Sequence, residues 1–398
     1  MQSGHPTTNP SIDAAESFWL RFWREPSPHL PAQWRGTVWH ERQPPGEQPT
    51  PVRDPEEAFD LVRRALGLPS RPCHAQDKAP SVTRIRTLQG IVRVLRLDPT
   101  EVSFARRGFQ ACGAKRERLE AAATAFIGGY NTALATEASG FLVQLADLSP
   151  QWRGFFVEGA AMAVAITDGL FVFGHRLPEF VTTVLDDYIY LAHVGAGCAM
   201  ARLPWRRRAI IAELDPLLVP LVYDGCGFHD TYFYAGRVTG GYRRFRKGYA
   251  ARAYDQGVGR ALWFACGAAP AAIARAIEGF APDRRFDLWA GIGLAAVYAG
   301  PATPEDCASL FKDAGEARSA LALGAAFAAE AQMRAGHVPP DSEMVCRALT
   351  GFDAATTAAF VHEIRDSLSA SRDAGIPLYE CWRRGVAQAL TVRAGHGQ

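Results

Sequence analysis

The sequence predicts an all-α protein whose helical hairpins form an α-solenoid or a closed α/α toroid. Three observations support this. Helical periodicity runs through most of the chain after about residue 85, strand signals are few, and small-residue clusters recur at intervals of about 30–36 residues. That interval is the length of one helix–turn–helix unit. The alternative is an irregular all-α domain whose Ala-rich helices are periodic by chance.

Glycine marks each of the recurring clusters. The clusters lie at Gly128, Gly159, Gly195, Gly225, Gly257, Gly291 and Gly324. A glycine inside a helix costs about 1 kcal/mol relative to alanine, so the repeated clusters need a structural reason. Glycine and alanine on one helix face allow neighbouring axes to approach closely, whereas larger residues hold them apart. The pattern therefore predicts tightly packed neighbouring helices.

Residues 1–84 differ in composition from the all-α main domain predicted over 85–393. They contain Pro-rich polar runs, yet six Trp and Phe residues are embedded between positions 18 and 39. A disordered tail rarely carries so many aromatic residues. We therefore expect short helical pieces at about 12–24 and 54–67, joined by extended linkers and docked on the main domain.

Helix boundaries can be read at several positions in the main domain. Helix starts are indicated at Ser149, Thr303 and Asp353, each a residue type that caps helix N-termini. Helix ends are indicated at Gly300, Gly315, Gly336 and Gly351. The segment 232–238 is the one short stretch that reads as a strand.

Bulk composition limits the classes of function. The 43 Lys and Arg residues nearly balance the 41 Asp and Glu residues, so an extended nucleic-acid-binding face is not expected. No apolar run is long enough to predict a membrane span, and the N-terminus has no signal-peptide pattern. The eight cysteines include no CxxC pair. A cytoplasmic protein with reduced cysteines is the expectation.

The densest group of polar and aromatic residues runs from 224 to 264. Asp224 and His229 would lie about 140° apart on a regular helix, so a local turn at 225–227 is needed to bring them together. His229 beside Asp224 and Asp230 has the composition of an acid/base or metal-binding group. The alternative is a hydrogen-bonded structural histidine and a helix-capping aspartate.

The following helix adds charge to this group. Arg252 and Asp255 lie three residues apart in an otherwise aromatic and small-residue helix. Because a buried charge needs a partner, a semi-buried ion pair between them is possible. Together with Arg260 they are candidates to orient a charged group on a substrate, with Asp255 also a candidate catalytic acid. Trp263 and Tyr232 are the expected pocket-lining residues. The basic run 243–247 is either an anion clamp or a solvated loop.

Four further residues outside this group are also candidates. Glu158 lies in an apolar run, so its carboxylate is either paired or shifted in pKa, and His193 lies in a small-residue helix. Asp186 and Asp187 resemble the start of the DDxxD motif of class I terpene synthases, which holds magnesium against a diphosphate. Tyr190 replaces the last aspartate of that motif, and a solvated helix face is the alternative.

Several segments together resemble a bacterial family of unknown function over roughly residues 85–390. The segments include SFARRGF at 103–109, GFFVEGAAMAVAITD at 154–168, HVGAGCAMARLPW at 193–205 and GYAARAYDQGVGRALWF at 248–264. Members of that family occur in biosynthetic gene clusters, notably those for enediyne natural products. The resemblance implies a role in specialised metabolism on a highly unsaturated, apolar intermediate.

The function predicted from these features is binding and transformation of an apolar polyene or isoprenoid-like intermediate in a helical cavity. One alternative is a terpene cyclase acting on a prenyl diphosphate, which would add magnesium as a cofactor. Another is a non-catalytic scaffold for a synthase or carrier protein, with an open groove and exposed residues 243–247. The substrate and the oligomeric state are not predicted.

Overall fold

The chain divides into two compact units in a computed structural model, Met1–Ile91 and Val92–Gln398. The structure describes residues 18–25, 33–40, 48, 50–53, 57, 61, 64, 94–111, 113–136, 138–170, 176–184, 186–368 and 376–395.

The first unit contains a three-stranded antiparallel sheet. Its strands are β1 (Phe18–Glu25), β2 (Gln33–His40) and β3 (Thr50–Val52), in the order β1-β2-β3. The helix predicted at 12–24 is therefore wrong for its described part, because the aromatic-rich segments pair with each other as strands, a conformation that aromatic residues favour. Residues 57, 61 and 64 are helical, and the rest of the predicted helix at 54–67 lies outside the described residues.

The second unit is helical throughout its described residues. Its α-helices are α1 (Phe104–Arg107), α2 (Gly113–Ala135), α3 (Ala138–Asp147), α4 (Pro150–Leu170), α5 (Arg176–Glu179), α6 (Ile189–Arg202), α7 (Arg207–Ala212), α8 (Val219–Thr239), α9 (Tyr249–Ala265), α10 (Pro270–Glu278), α11 (Pro282–Tyr298), α12 (Pro304–Ala314), α13 (Arg318–Arg334), α14 (Pro340–Thr350), α15 (Ala354–Asp366) and α16 (Leu378–Gly395). Short 3₁₀ turns lie at Pro99–Val102, Asp186–Tyr188, Pro204–Arg206 and Gly315–Ala317, and a π-helical turn at Phe180–Val184. The all-α prediction is confirmed.

Most of the predicted helix boundaries follow from capping chemistry. Thr303 and Asp306 form a reciprocal capping box at the start of α12, and Asp353 accepts a hydrogen bond from the backbone N–H of Thr356 at the start of α15. Gly351 ends α14 in the left-handed conformation. The strand predicted at 232–238 is wrong, because these residues continue α8 with a single non-helical position at Tyr234.

The long helices of the second unit pack side by side in one row. The order is α2, α4, α6, α8, α9, α11, α13 and α15, each in contact with the next. The shorter α10, α12 and α14 connect long helices and pack against one another. Long and short helices thus alternate in the C-terminal half, as in helical hairpins. A solenoid or toroid over the whole unit stays a prediction.

Glycine pairs hold neighbouring helices of this row together, as their spacing predicted. Gly225 lies against the backbone oxygen of Val194 in α6, and Gly227 lies against that of Tyr254 in α9. Residues two apart lie about 200° apart around a helix, so each glycine of a pair serves a different neighbour. Gly195/Gly197, Gly257/Gly259 and Gly291/Gly293 repeat the arrangement in α6, α9 and α11. Such contacts admit weak Cα–H···O bonds between helix backbones.

Among the described residues, no helix is both long and apolar enough to cross a membrane.

Candidate functional site

A narrow cavity lies among six helices of the second unit. The room inside it is only about 40 Å³, whereas all the space between its lining atoms, open solvent at its mouth included, is about 510 Å³. It is lined by Tyr190, Leu191 and Val194 of α6, Leu221 and Asp224 of α8, Arg260 of α9, Leu294 and Tyr298 of α11, Phe327, Ala328 and Ala331 of α13, and Tyr379 and Trp382 of α16. Apolar and aromatic side chains dominate, which is the usual composition of a small-molecule pocket.

Aromatic rings form one wall of the cavity. The ring of Trp382 lies 4.8 Å from that of Phe327, 5.9 Å from that of Tyr379 and 6.3 Å from that of Tyr190, measured between centroids. The Trp382 indole N–H donates to the carbonyl oxygen of Val361 at 2.8 Å. Its polar atom is therefore satisfied by the helix behind it, and the wall offers carbon surface to a ligand.

Buried charged groups also border the cavity. Asp224 accepts hydrogen bonds from the guanidinium of Arg260 and, at 2.9 Å, from the side-chain amide of Gln256. Glu158 lies on the far side of Arg260, with 3.7 Å between carboxylate oxygen and guanidinium nitrogen. Asp224, Glu158 and Arg260 are each at most 6% exposed. Three candidates from separate parts of the sequence therefore meet at one place.

The glycine contacts explain why these side chains converge. Glu158, Asp224 and Gln256 each directly precede a crossing glycine of their own helix. Their backbone oxygens contact the glycines of neighbouring helices, namely Gly195 for Glu158, Gly257 for Asp224 and Gly291 for Gln256. The polar residues thus lie at the level where the helices approach most closely. Larger side chains at those glycines would separate the members of the group.

The charge balance of this end leaves one proton to be shared. Two carboxylates face a single guanidinium in a buried site, and an unpaired buried charge is unfavourable. Burial raises the pKa of Glu158 to about 7, while the nearby Arg260 opposes the shift and Asp224 adds to it. Asp224 and Glu158 in turn raise the pKa of Arg260 despite its burial. Glu158 is therefore the group that gains and loses a proton near neutral pH.

His229 and Asp230 lie in a separate polar group further along α8. Asp230 accepts two hydrogen bonds from Arg244, at 2.9 and 2.7 Å, and one from the Tyr254 hydroxyl at 3.0 Å. Burial lowers the pKa of His229 to about 4, and the positive charges of Arg202 and Arg244 add to the shift. Helix α8 is continuous through 225–227, so the turn expected there is absent and Asp224 and His229 do not converge.

Arg252 and Asp255 do not pair with each other. Arg252 binds Asp287 and Glu380, whereas Asp255 binds Arg243 and Arg284. The predicted intrahelical ion pair is therefore wrong, because carboxylates and guanidiniums of other segments offer better geometry. Arg243 pairs with Asp255, and Arg244 pairs with Asp230. Part of the basic run 243–247 therefore forms ion pairs with buried carboxylates. None of these side chains lines the cavity.

Trp263 and Tyr232, the expected pocket-lining residues, and His193 also lie outside the cavity lining. Trp263 is fully buried and donates its indole N–H to the carbonyl oxygen of Gly300. Tyr232 is buried among aromatic rings, and its hydroxyl has no partner among the described residues. His193 is buried, with Nδ1 at 2.7 Å from the carbonyl oxygen of Ile189. Their roles in binding stay predictions.

Asp186 and Asp187 lie in the 3₁₀ turn just before α6. Both are exposed, and Asp186 pairs with Arg334 at 3.2 Å. The described part of the chain contains no group of three or more His, Cys, Asp or Glu side chains placed to hold a metal ion. A magnesium site at these two aspartates stays a prediction.

Several residues of the cavity were not expected as site residues. Tyr190, Phe327, Tyr379 and Trp382 supply the aromatic wall, yet they come from three helices with no shared motif. Tyr190 also donates at 3.0 Å to the buried Glu330, which binds His362 through the same oxygen. Glu330 interrupts an Ala-rich run much as Glu158 does, and that interruption was the available signal.

Comparison with known proteins identifies a family. No curated protein and no solved structure matches this chain. One family model matches residues 87–390, close to the range over which the motifs indicated a family of unknown function. The chain therefore belongs to the family described as a protein of unknown function, DUF1702.

Proposed function

We propose that the protein binds a slender, apolar, unsaturated molecule in the cavity and transforms it with the help of the adjacent acid group. A polyene or isoprenoid-like intermediate of specialised metabolism is the substrate class. The observation that carries the proposal is a cavity lined both by an aromatic wall at Trp382 and by a buried Asp224–Arg260 pair. Aromatic faces bind conjugated chains and stabilise developing positive charge.

The acid group supports chemistry in addition to binding. A general acid or base works best when its pKa is close to the working pH. Glu158 meets this condition, and Arg260 connects it to Asp224, which lines the cavity. The group therefore holds one exchangeable proton beside a bound ligand. The charged pairs of Asp230 and Asp255 do not line this cavity and are assigned to stability.

Binding is tested with diphenylhexatriene, a slender neutral polyene that fluoresces in apolar surroundings. Ala328→Phe places a ring in the cavity and is expected to weaken binding at least tenfold. Ala271→Phe, on the exposed face of α10, is the matched control and should bind as the wild type does. Thermal unfolding of both variants checks that they fold. Equal binding by wild type and Ala328→Phe would place the ligand elsewhere.

Turnover is tested separately by incubation with polyenes and prenyl diphosphates, with and without magnesium, followed by mass spectrometry. Glu158→Gln keeps the size of the side chain and removes its titration. We expect this variant to retain diphenylhexatriene binding and to lose turnover. Binding without turnover of any substrate by the wild type would reduce the proposal to a binding function.

A further inference from the structure

Beside His229 of α8 lies a guanidinium group, from α6, that has no carboxylate partner among the described residues. Arg202, the last residue of α6, donates from Nε to His229 Nε2 at 3.1 Å. No carboxylate oxygen of the described residues lies within the 4.0 Å limit of an ion pair with Arg202. Its two terminal NH₂ groups have no hydrogen-bond acceptor in that same part of the chain. A partly buried positive charge of this kind requires an anion or water.

A second guanidinium lies against the same aromatic ring. The Cζ atoms of Arg107 and Arg202 lie 4.5 and 5.3 Å from the ring centroid of Phe233. Arg107 pairs with Glu101, but that carboxylate also binds Arg106. Burial lowers the pKa of Arg107, and the positive charge of Arg202 adds to the shift. The place therefore carries more positive than negative charge.

Buried polar atoms beside these guanidiniums also lack partners. The hydroxyl of Tyr232 makes no hydrogen bond within the described residues, although the residue is only 7% exposed. The Tyr232 ring centroid lies 5.8 Å from Cζ of Arg107. A buried hydroxyl without a partner costs free energy. A ligand oxygen that accepted this hydroxyl proton would remove the cost.

The adjoining surface is open and irregular. Tyr234 is 49% exposed and adopts φ −138° and ψ 43°, which interrupts α8. Arg237, in the next turn, lies with Cζ 5.8 Å from the Tyr234 ring centroid. Arg237 likewise has no carboxylate partner among the described residues. The exposed ring of Tyr234 thus lies next to the guanidinium of Arg237, and its centroid lies 6.4 Å from that of the His229 ring.

We propose that an oxyanion, the carboxylate or phosphate group of a small molecule, binds at this place. We call it the arginine recess and define it as Arg107, Arg202, His229, Tyr232 and Phe233. The planar fork of N–H groups on arginine matches the paired oxygens of both anion types. His229 orients Arg202, and the Tyr232 hydroxyl donates to the anion. The arginine recess is independent of the cavity, and either assignment can fail without the other.

Titration calorimetry with inorganic phosphate and, separately, with acetate tests this assignment at constant ionic strength set by sodium chloride. We expect saturable binding of at least one anion, and the one that binds identifies the oxyanion type. Arg202→Gln is expected to weaken binding at least tenfold. The matched control is Arg318→Gln, because Arg318 is exposed, has one hydrogen bond to a backbone oxygen and has no carboxylate partner among the described residues.

A second variant keeps the test decisive if Arg202→Gln does not fold. Tyr232→Phe keeps the buried ring and removes only the unpartnered hydroxyl, so it should fold as well as the wild type and bind the anion about threefold more weakly. The imidazole ¹⁵N shifts of His229 should change as the anion saturates. The assignment is overturned if neither anion saturates, or if Arg202→Gln and Arg318→Gln bind equally well.

Discussion

Helix α8 carries two buried groups of the same kind with different surroundings. We call them the Asp224 end, nearer the helix N-terminus, and the His229 end, near the middle of the helix. Asp224 and Asp230 are both at most 2% exposed, and each accepts hydrogen bonds from an arginine and from a neutral donor. Of these two aspartates, Asp224 lines the cavity described above and Asp230 does not. A buried, paired carboxylate is therefore weak evidence for a functional site. Asp224 differs from Asp230 in that it lines the cavity.

Charge balance also differs between the two ends. The Asp224 end has two carboxylates for one guanidinium, so an acid retains a proton. The His229 end has two guanidiniums, of Arg202 and Arg244, and one carboxylate, that of Asp230, which pairs with Arg244. The histidine therefore stays neutral. Burial acts at both ends, but it raises the pKa of the acid Glu158 and lowers that of the base His229. The same physical cause therefore predicts opposite pH dependence.

The largest expected effect comes from replacing a glycine at which α8 crosses a neighbouring helix. In Gly227→Ala the added Cβ would lie 2.0 Å from the carbonyl oxygen of Tyr254, so α8 and α9 must separate. We expect a loss of about 5 kcal/mol or more in the free energy of unfolding. Gly236→Ala, in the same helix, meets no atom within 4 Å and should be neutral or stabilising by up to about 1 kcal/mol. Urea unfolding measures both, and similar losses would contradict the packing role.

A smaller effect is expected from removing one arginine at each end. Arg260→Met leaves the buried Asp224 and Glu158 without a counter-charge and should lower the free energy of unfolding by about 3–5 kcal/mol. Arg244→Met should cost less, about 1–3 kcal/mol, because the Arg244 side chain is 23% exposed and Asp230 keeps the Tyr254 hydroxyl. The comparison is made by urea unfolding. Equal losses would show that the two ends do not differ in solvation.

The last expected effect, similar in size to that of Arg244→Met, is the pH dependence of stability. Glu158 binds its proton more tightly in the folded state, so its contribution is full below about pH 4.5 and falls by about 2–3 kcal/mol as pH rises to about 7. His229 binds its proton less tightly when folded, so its contribution falls as pH drops from about 6.5 to about 4.

Unfolding measured between pH 4 and 8 separates the two groups. Relative to the wild type, Glu158→Gln should gain stability as pH rises through this range. His229→Gln should lose less stability than the wild type below pH 6.5. Parallel profiles for the wild type and both variants would contradict the assigned pKa shifts.

The fold was predictable to the extent that it depends on local chemistry. The helix starts at Thr303 and Asp353 and the end at Gly351 follow from side-chain and backbone capping. The spaced glycine clusters correctly indicated close helix packing. The strand at Phe18–Glu25 was missed, because its aromatic residues are compatible with a helix until a second segment pairs with them.

The site was predictable only in part. Asp224, Arg260 and Glu158 stood out as charges in apolar helices, and they do meet. His229, Asp230, Arg252 and Asp255 stood out for the same reason, yet they close ion pairs away from the cavity. Helical spacing describes neighbours within one helix, whereas most partners here come from other helices. The aromatic wall had no signal, because aromatic residues are equally suited to any buried position.

The sequence by itself determined the helices, their ends and the level at which they cross. Glycine permits close approach wherever it occurs, so Gly159, Gly225 and Gly257 mark the crossings, and the polar residue before each of them is brought to the same level. Only the tertiary structure decided which buried charges border open space. Cavities arise where side chains from several helices fail to fill a volume, and no single helix carries that information.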